Sequence, residues 1–102
     1  MRRGELWLAE VGGKKRPVLV LTRSGVLSVR SFVTIAEVTT SIRGLSVEVE
    51  LDHRAIGLDR PSAINCDGLH TIDRALLVGP VGEVGSEVMR RVCLAVSYAL
   101  GC

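Results

Sequence analysis

The sequence predicts an α+β fold in which a small antiparallel barrel or twisted sheet packs against a single C-terminal helix. Short apolar, β-branched runs alternate with turn residues up to residue 84, whereas apolar residues near the C-terminus recur at three- and four-residue spacing. Helical patterns do not separate the strands, which argues against a parallel βαβ sheet. The 102 residues are too few for two useful cores, so we expect one domain, 1–102.

The first two elements are a predicted hairpin. Residues 5–10 and 17–22 are short apolar runs, and the segment between them holds a Gly-Gly pair followed by three cations. Pro17 cannot donate a hydrogen bond to a neighbouring strand, so it belongs at the start of the second strand and keeps the preceding residue extended. We therefore expect Arg16 at a junction between loop and strand, with two lysines on the loop before it.

The third and fourth elements are predicted strands that lie antiparallel to each other. Residues 29–38 are rich in β-branched side chains, and a cluster of hydroxyl residues at 39–41 begins the following loop. Residues 46–51 alternate strictly, so the valines and the leucine share one face and the two glutamates share the other. This alternation is typical of a strand with one buried face.

The second half continues with two further strands and ends in a helix. Residues 61–65 predict a short strand, and residues 75–84 predict another with a bulge or bend at a Gly-Pro pair. Residues 88–100 follow helical spacing, with Ser86 as the expected N-cap and Gly101 at the end. This helix is apolar around most of its circumference, so we expect a second copy of the chain to cover part of it in a symmetric dimer.

Composition limits the classes of function. The chain is 47% hydrophobic and 24% charged, which is enough for a folded core, and its 3% of aromatic residues argues against an aromatic base-stacking platform. The net charge of +2 does not by itself indicate a nucleic-acid partner. Three cysteines without a C-x-x-C pair, and no apolar run near about 18 residues, favour a reducing, cytoplasmic location without a metal site or membrane span.

Three segments together resemble the MazF (PemK/Kid) toxin family over nearly the whole chain. They are residues 3–7 (Arg-Gly-Glu-Leu-Trp) at the first strand, residues 16–21 (Arg-Pro-Val-Leu-Val-Leu) in the second, and residues 65–73 (Asn-Cys-Asp-Gly-Leu-His-Thr-Ile-Asp) in the second half. Each segment alone is weakly specific, but their order, spacing and the total length make the combination specific. The C-terminal helix falls where the family has one.

The resemblance implies an SH3-like barrel with a helix against it, in a two-fold homodimer whose interface is bordered by grooves. It implies a sequence-specific endoribonuclease toxin that cleaves single-stranded RNA and so inhibits translation and growth. The ribose 2′-hydroxyl attacks the adjacent phosphorus and leaves a 2′,3′-cyclic phosphate and a 5′-hydroxyl, without a metal or other cofactor. It also implies inhibition by the C-terminal segment of a cognate antitoxin, an acidic and hydrophobic tail that fills the groove.

The resemblance also supplies catalytic candidates. The family's catalytic arginine matches Arg16, and its catalytic threonine matches Thr39, with a shift of one residue to Thr40 left open. Asp67 matches the acidic residue of the later segment, whereas Asn65 stands where the Kid branch has an arginine. The short first loop lacks the histidine that several members carry, so the proton-transfer groups depart from the family pattern.

The expected reaction requires several different chemical groups, and these residues can supply them. Cleavage by an internal 2′-hydroxyl needs a base, charge stabilisation at the phosphorane and an acid for the leaving 5′-oxygen. Arg16 suits charge stabilisation, because a guanidinium keeps its proton and offers forked donors. Thr39 is suited to donate a hydrogen bond that orients the phosphate. Proton transfer is left between Asp67 and His70, of which histidine is the residue type that exchanges protons near neutrality.

Further polar side chains are expected along the RNA path, where cations confer affinity rather than sequence recognition. These RNA-binding candidates are Lys14, Lys15, Thr40, Ser41, Arg43 and Asn65. Trp7 is expected to pack in the core rather than to stack on a base.

Two other functions compete with the ribonuclease. A CcdB-like toxin shares this type of barrel and inhibits DNA gyrase by protein contact, but such a chain is expected to end in a tryptophan-bearing helix tail that is missing here. The pairing of Arg16 with Thr39 favours the ribonuclease. A degenerate member that only binds antitoxin is the third hypothesis, and Asn65 together with the short first loop motivates it.

Overall fold

The computed structural model describes residues 1–11 and 13–102. Its strands are β1 (Glu5–Val11), β2 (Lys14–Val20), β3 (Phe32–Thr39), β4 (Glu48–Leu51), β5 (Ser62–Asp73) and β6 (Leu77–Glu83). Two α-helices, α1 (Ser24–Leu27) and α2 (Ser86–Leu100), and one 3-10 turn (Arg74–Leu76) complete the described elements.

All the strands join one antiparallel sheet in the spatial order β4-β5-β3-β2-β1-β6. The α+β class and the C-terminal helix are therefore confirmed. The expected barrel is only loosely matched, because the two ends of this order, β4 and β6, are not paired with each other in the described part of the chain.

Three predicted strand positions need correction. The hairpin of β1 and β2 is confirmed, but Lys14 pairs with Val11, so both lysines lie in β2 rather than on a loop. Arg16 and Pro17 are therefore inside β2, and the predicted strand start at Pro17 is wrong. The fourth strand, β4, pairs with β5 and not with β3, because β5 lies between them. The strand predicted over 61–65 continues to Asp73, since the motif segment after Asn65 pairs with the first half of β3.

The sheet has a buried face on the side of α2. Val92 and Ala95 of the helix pack against inward side chains of the strands. These strand residues are Leu6, Leu19, Ala36, Val38, Val49, Leu51, Ile64 and Cys66. Burial raises the pKa of the Cys66 thiol to about 11, with a smaller effect of Cys93, so Cys66 serves as an apolar core residue.

The opposite face of the sheet carries a second, smaller core. It is formed by Ala9, Val18, Val20, Leu27, Val33, Ile35 and Leu77, with Trp7 packed against it. The packing role expected for Trp7 is confirmed, and its indole N–H donates to Glu5 at 3.2 Å. The short helix α1, which no sequence pattern predicted, covers part of this face through Leu27.

The terminal helix α2 begins one residue earlier than a Ser86 N-cap requires. Gly85 is the N-cap and makes no side-chain hydrogen bond, so Ser86 is the first helical residue and the predicted cap is wrong. Gly101 ends the helix with φ 73°, a left-handed conformation that glycine adopts without strain. Across the described residues, we find no helix with the length and apolarity that a membrane span requires.

Candidate active site

Arg16 and Thr39 are brought side by side by the pairing of β2 with β3. Val18 lies opposite Glu37, so continuing the register by two residues sets Arg16 opposite Thr39. On its other side Arg16 pairs with Ala9 of β1. Since directly opposed residues share a face, both side chains project from the sheet face opposite α2, beyond the end of the smaller core.

A pocket of about 310 Å³ lies at this position. It is lined by Arg16, Pro17, Val38, Thr39, Thr40 and Ser41. One arginine and three hydroxyl side chains thus line one concavity, a donor set suited to phosphate oxygens. Larger cavities exist elsewhere, but this one contains the paired arginine and threonine.

The hydroxyl of Thr39 is fixed by the chain that follows it. Its Oγ1 accepts a hydrogen bond from the backbone N–H of Ser41 at 3.0 Å. The hydroxyl hydrogen therefore remains available for donation to a ligand. Thr40 follows on an exposed backbone turn and also lines a second cavity of about 490 Å³, together with Lys15, Pro17 and Arg60.

Arg43 is positioned by Glu48 at the start of β4. The Arg43 backbone N–H donates to Glu48 Oε1 at 2.9 Å, and its side-chain Nε lies 4.0 Å from Oε2. These contacts hold the loop after the hydroxyl cluster against the sheet. The Arg43 N–H, with those of Leu45 and Gly44, lowers the pKa of the Glu48 carboxyl below its ordinary value.

The later motif segment forms an irregular stretch of β5. Asn65 pairs with Glu37, but the next pair joins Leu69 to Ala36, so the residues between them are displaced from the ladder. Within this bulge the Asp67 backbone N–H donates to Asn65 Oδ1 at 3.1 Å, and the Asp67 side chain is exposed.

His70 contacts a residue that the sequence did not indicate. Its Nε2 lies 3.4 Å from Oε2 of Glu37. His70 pairs with Ile35, so its side chain is on the sheet face opposite α2. By register Glu37 shares that face with Arg16 and Thr39. The missed signal was a single carboxylate within an apolar strand, two residues before Thr39 and therefore on the same side.

The predicted site residues thus fall into two groups. Arg16, Thr39, Thr40 and Ser41 line one pocket. Asn65, Asp67 and His70 lie on β5, beyond β3, and do not line it. Lys14 and Lys15 are exposed at the start of β2, next to Arg16. In residues 1–11 and 13–102 there is no group of three or more His, Cys, Asp or Glu side chains arranged to hold a metal ion.

Known proteins are similar to this chain in both sequence and fold. Residues 2–100 match the family described as PemK-like, MazF-like toxin of type II toxin-antitoxin system. The chain is 37% identical over 103 residues to the probable endoribonuclease MazF5 of Mycobacterium tuberculosis (strain ATCC 25618 / H37Rv), covering 98% of this chain and 93% of that protein. It is 33% identical to the probable endoribonuclease MazF2 of Mycobacterium tuberculosis (strain CDC 1551 / Oshkosh), over 100% of both.

Solved structures agree with this assignment. The Mycobacterium tuberculosis toxin MazF-mt6 superimposes with a TM-score of 0.89 at 34% identity, covering 95% of this chain and 96% of that one. A mycobacterial endoribonuclease in complex with its cognate antitoxin gives a TM-score of 0.85 at 22% identity over 99% and 95% of the two chains, which supports the fold alone. With a family match across almost its full length, the chain belongs to the PemK-like, MazF-like toxins of type II toxin-antitoxin systems.

Proposed function

We propose that this chain is a sequence-specific endoribonuclease toxin that cleaves single-stranded RNA without a metal ion. The observation that carries the proposal is the pocket in which Arg16 meets Thr39 and the two hydroxyl residues after it. Relatives in the same family are named probable endoribonucleases. The reaction is attack of the ribose 2′-hydroxyl on the adjacent phosphorus, giving a 2′,3′-cyclic phosphate and a 5′-hydroxyl.

Arg16 and Thr39 bind the scissile phosphate in this proposal. The guanidinium stabilises the charge that grows on the phosphorane oxygens, and such electrostatic stabilisation is commonly the largest contribution to catalysis. Thr39 donates its hydroxyl hydrogen to the same phosphate and orients it for in-line attack. Thr39 takes this role rather than Thr40 because register sets it opposite Arg16 on the same face.

Proton transfer is assigned to the β5 segment. His70 lies on the same sheet face as Arg16, opposite α2, whereas Asp67 lies exposed in the bulge. His70 is therefore the better-placed donor to the leaving 5′-oxygen. Neither side chain lines the phosphate pocket.

The RNA path follows exposed polar residues around the pocket. Lys14 and Lys15 precede Arg16 on β2, and Arg43 follows the hydroxyl cluster on a loop that Glu48 holds. Asn65 lies on β5, the strand next to β3. The cations bind the phosphates at neighbouring nucleotides, which gives affinity that weakens with salt.

We propose messenger RNA as the cellular target, with ribosomal RNA or transfer RNA as the alternative, so that cleavage inhibits translation and growth in the cytoplasm. The toxin acts as a homodimer and is inhibited by the C-terminal segment of its cognate antitoxin. Several apolar side chains on the outer side of α2 support the dimer: Leu94, Tyr98 and Leu100 are 60–69% exposed in the single chain.

Incubation of the purified protein with a long single-stranded RNA in excess EDTA tests the proposal. We expect discrete cleavage products in EDTA, because the internal hydroxyl supplies the nucleophile and Arg16 supplies the positive charge. Loss of cleavage in EDTA with recovery in magnesium would refute the mechanism. An intact RNA together with inhibition of DNA gyrase would instead favour a CcdB-like toxin, and an intact RNA with antitoxin binding alone would favour a degenerate member.

A further inference from the structure

Glu37 is a carboxylate in the middle of the sheet. It lies on β3, with Val18 of β2 opposite on one side and Asn65 of β5 on the other. Its neighbours on the same face of β3, Val33 and Ile35, are fully buried. The side chain of Glu37 itself keeps 26% of its surface exposed, so the carboxylate reaches solvent on the face that carries Arg16 and Thr39.

The bulge of β5 leaves space for this carboxylate. A Cβ built on Gly68 would overlap Glu37 Oε2 and would lie 3.0 Å from Asn65 Nδ2, which is tighter than most real Cβ contacts. The glycine therefore allows Glu37 to approach the β5 backbone. On the β5 side the carboxylate also contacts His70, whose Nε2 lies 3.4 Å from Glu37 Oε2.

Arg16 and Thr39 lie two residues farther along β2 and β3 than the pair formed by Val18 and Glu37. Thr39 follows Glu37 by two positions on β3, and Arg16 precedes Val18, the partner of Glu37, by two positions on β2. Such diagonal neighbours are separated by roughly 7–8 Å between backbones, within reach of long side chains. Glu37 does not itself line the pocket, and its carboxylate contacts β5, but a ribose that extends toward β5 from a phosphate at Arg16 and Thr39 would lie beside it.

We propose that Glu37 is a further catalytic residue, the base that accepts the proton of the attacking 2′-hydroxyl. This inference rests on the ribonuclease function proposed above. The 2′-oxygen forms a bond to phosphorus while the bond from phosphorus to the 5′-oxygen breaks. The 2′-hydroxyl proton passes to a Glu37 oxygen, and the leaving 5′-oxygen takes a proton from His70 or Asp67. Glu37 then releases its proton to solvent, and the donor residue takes one up from solvent, so both groups are restored.

Single-turnover cleavage separates this role from binding and folding. The substrate is a short RNA carrying one cleavage site mapped with the wild-type protein, and binding is measured on the same RNA with a 2′-deoxy nucleotide at that site. Glu37→Gln keeps the shape and removes the acceptor, so we expect cleavage to slow at least about a hundredfold, in the range of general base catalysis. The Kd should change less than about threefold.

Two other variants test the same group independently. Glu37→Ala should be slow, and added formate should restore part of its rate, because a small carboxylate can occupy the vacated space. Gly68→Ala should displace the Glu37 carboxylate and slow cleavage in the wild-type background, but not further in Glu37→Gln. Glu83→Gln is the matched control, since this exposed carboxylate on β6 pairs with Arg2 at 3.3 Å, far along the sheet.

The outcomes distinguish this inference from the proposed function. Cleavage by Glu37→Gln within about threefold of wild type, while Arg16→Ala is inactive, would overturn the base assignment and leave the ribonuclease intact. A slow Glu37→Gln protein that also loses RNA binding would overturn it too, because the residue would then act in binding or structure. An inactive wild-type protein would remove both proposals.

Discussion

Arg16 owes its position to the residue that follows it. Pro17 lies opposite Leu8 in the ladder of β1 and β2, where a residue without an N–H fixes the strand in extended geometry. Arg16 is consequently exposed at a defined place, between Ala9 and the strand that ends at Thr39. The strand thus defines the backbone position from which the guanidinium reaches a ligand, and positive charge placed in advance reduces the reorganisation needed to stabilise a developing negative charge.

Replacement of Arg16 tests its proposed role. We expect Arg16→Ala to lose at least about a hundredfold in cleavage rate, or roughly 2.7 kcal/mol of transition-state stabilisation. Arg16→Lys should recover little, because an ammonium does not reproduce the fork of donors. Arg30→Ala is the control, an exposed arginine before the other end of β3. Near-native rates for both Arg16 variants would remove this residue from the active site.

Single residues also show what the sequence could predict. Arg16 and Thr39 were predicted because a family pattern marks them, and the register of β2 and β3 sets them on one face, where both line one pocket. Glu37 was not predicted, although its two-residue spacing from Thr39 puts both side chains on the same face of a strand. Its proposed role depends on its surroundings on β5, where His70 approaches it beyond a displacement that alternation cannot reveal.

At the scale of elements, β1 is held at its start by a buried carboxylate. Glu5 is buried and accepts hydrogen bonds from the Arg2 N–H at 2.6 Å and the Trp7 indole at 3.2 Å. Burial by itself raises the pKa of Glu5, but these hydrogen bonds, the N-terminal ammonium and the Arg2 charge outweigh it. The pKa of the folded state therefore lies below its ordinary value.

Stability should consequently depend on pH through Glu5. At pH 7 we expect Glu5→Gln to lose about 1–3 kcal/mol of unfolding free energy, because charged hydrogen bonds are weakened. A lowered folded pKa gives stability that is present above about pH 4.3 and is lost as pH falls through the folded value. Urea denaturation at pH 7 and at acid pH measures the difference between the two proteins.

Glu10→Gln, an exposed change on the same strand, is the control and should stay within about 0.5 kcal/mol of wild type. The account of β1 would be contradicted by a Glu5→Gln protein as stable as wild type at pH 7. A stability difference that persisted undiminished at acid pH would contradict it equally.

The elements show why periodicity predicted some of the fold and not the rest. The hairpin and α2 follow from local patterns, two-residue alternation and helical spacing, and both are present. The second half of β5 has mixed polarity and a bulge, so only its pairing with β3 makes it a strand. Helix α1 has four residues, too few for helical periodicity to be recognised. The pairing of β4 with β5 is non-local and was likewise not predictable.

At the scale of the whole molecule, the single chain leaves apolar surface uncovered on α2. Tyr98 is 69% exposed and Leu94 is 60% exposed, and both line a cavity of about 530 Å³ against β4. A two-fold axis near this helix would bury the same patch on both copies. The grooves beside such an interface are where an antitoxin tail would reach Arg16 in our proposal.

Sedimentation of the purified protein tests the dimer. We expect a dimer at micromolar concentration, and we expect Tyr98→Glu to shift it to monomer, because the introduced charge would be buried without a partner. Val29→Glu is the control: Val29 is 81% exposed but follows α1, which packs on the other face of the sheet. A wild-type monomer, or a Tyr98→Glu dimer of unchanged affinity, would contradict the interface.

The central claim is that the chain cleaves RNA by using the 2′-hydroxyl next to the broken bond. Analysis of the product ends, after cleavage of a long RNA in EDTA, tests this most directly. We expect each downstream fragment to begin with a 5′-hydroxyl, which a polynucleotide kinase can phosphorylate. Each upstream fragment should end in a 2′,3′-cyclic phosphate. A single 2′-deoxy nucleotide at a mapped site should abolish that cut alone. Products with 5′-phosphate and 3′-hydroxyl ends, or continued cleavage at the 2′-deoxy site, would contradict the account.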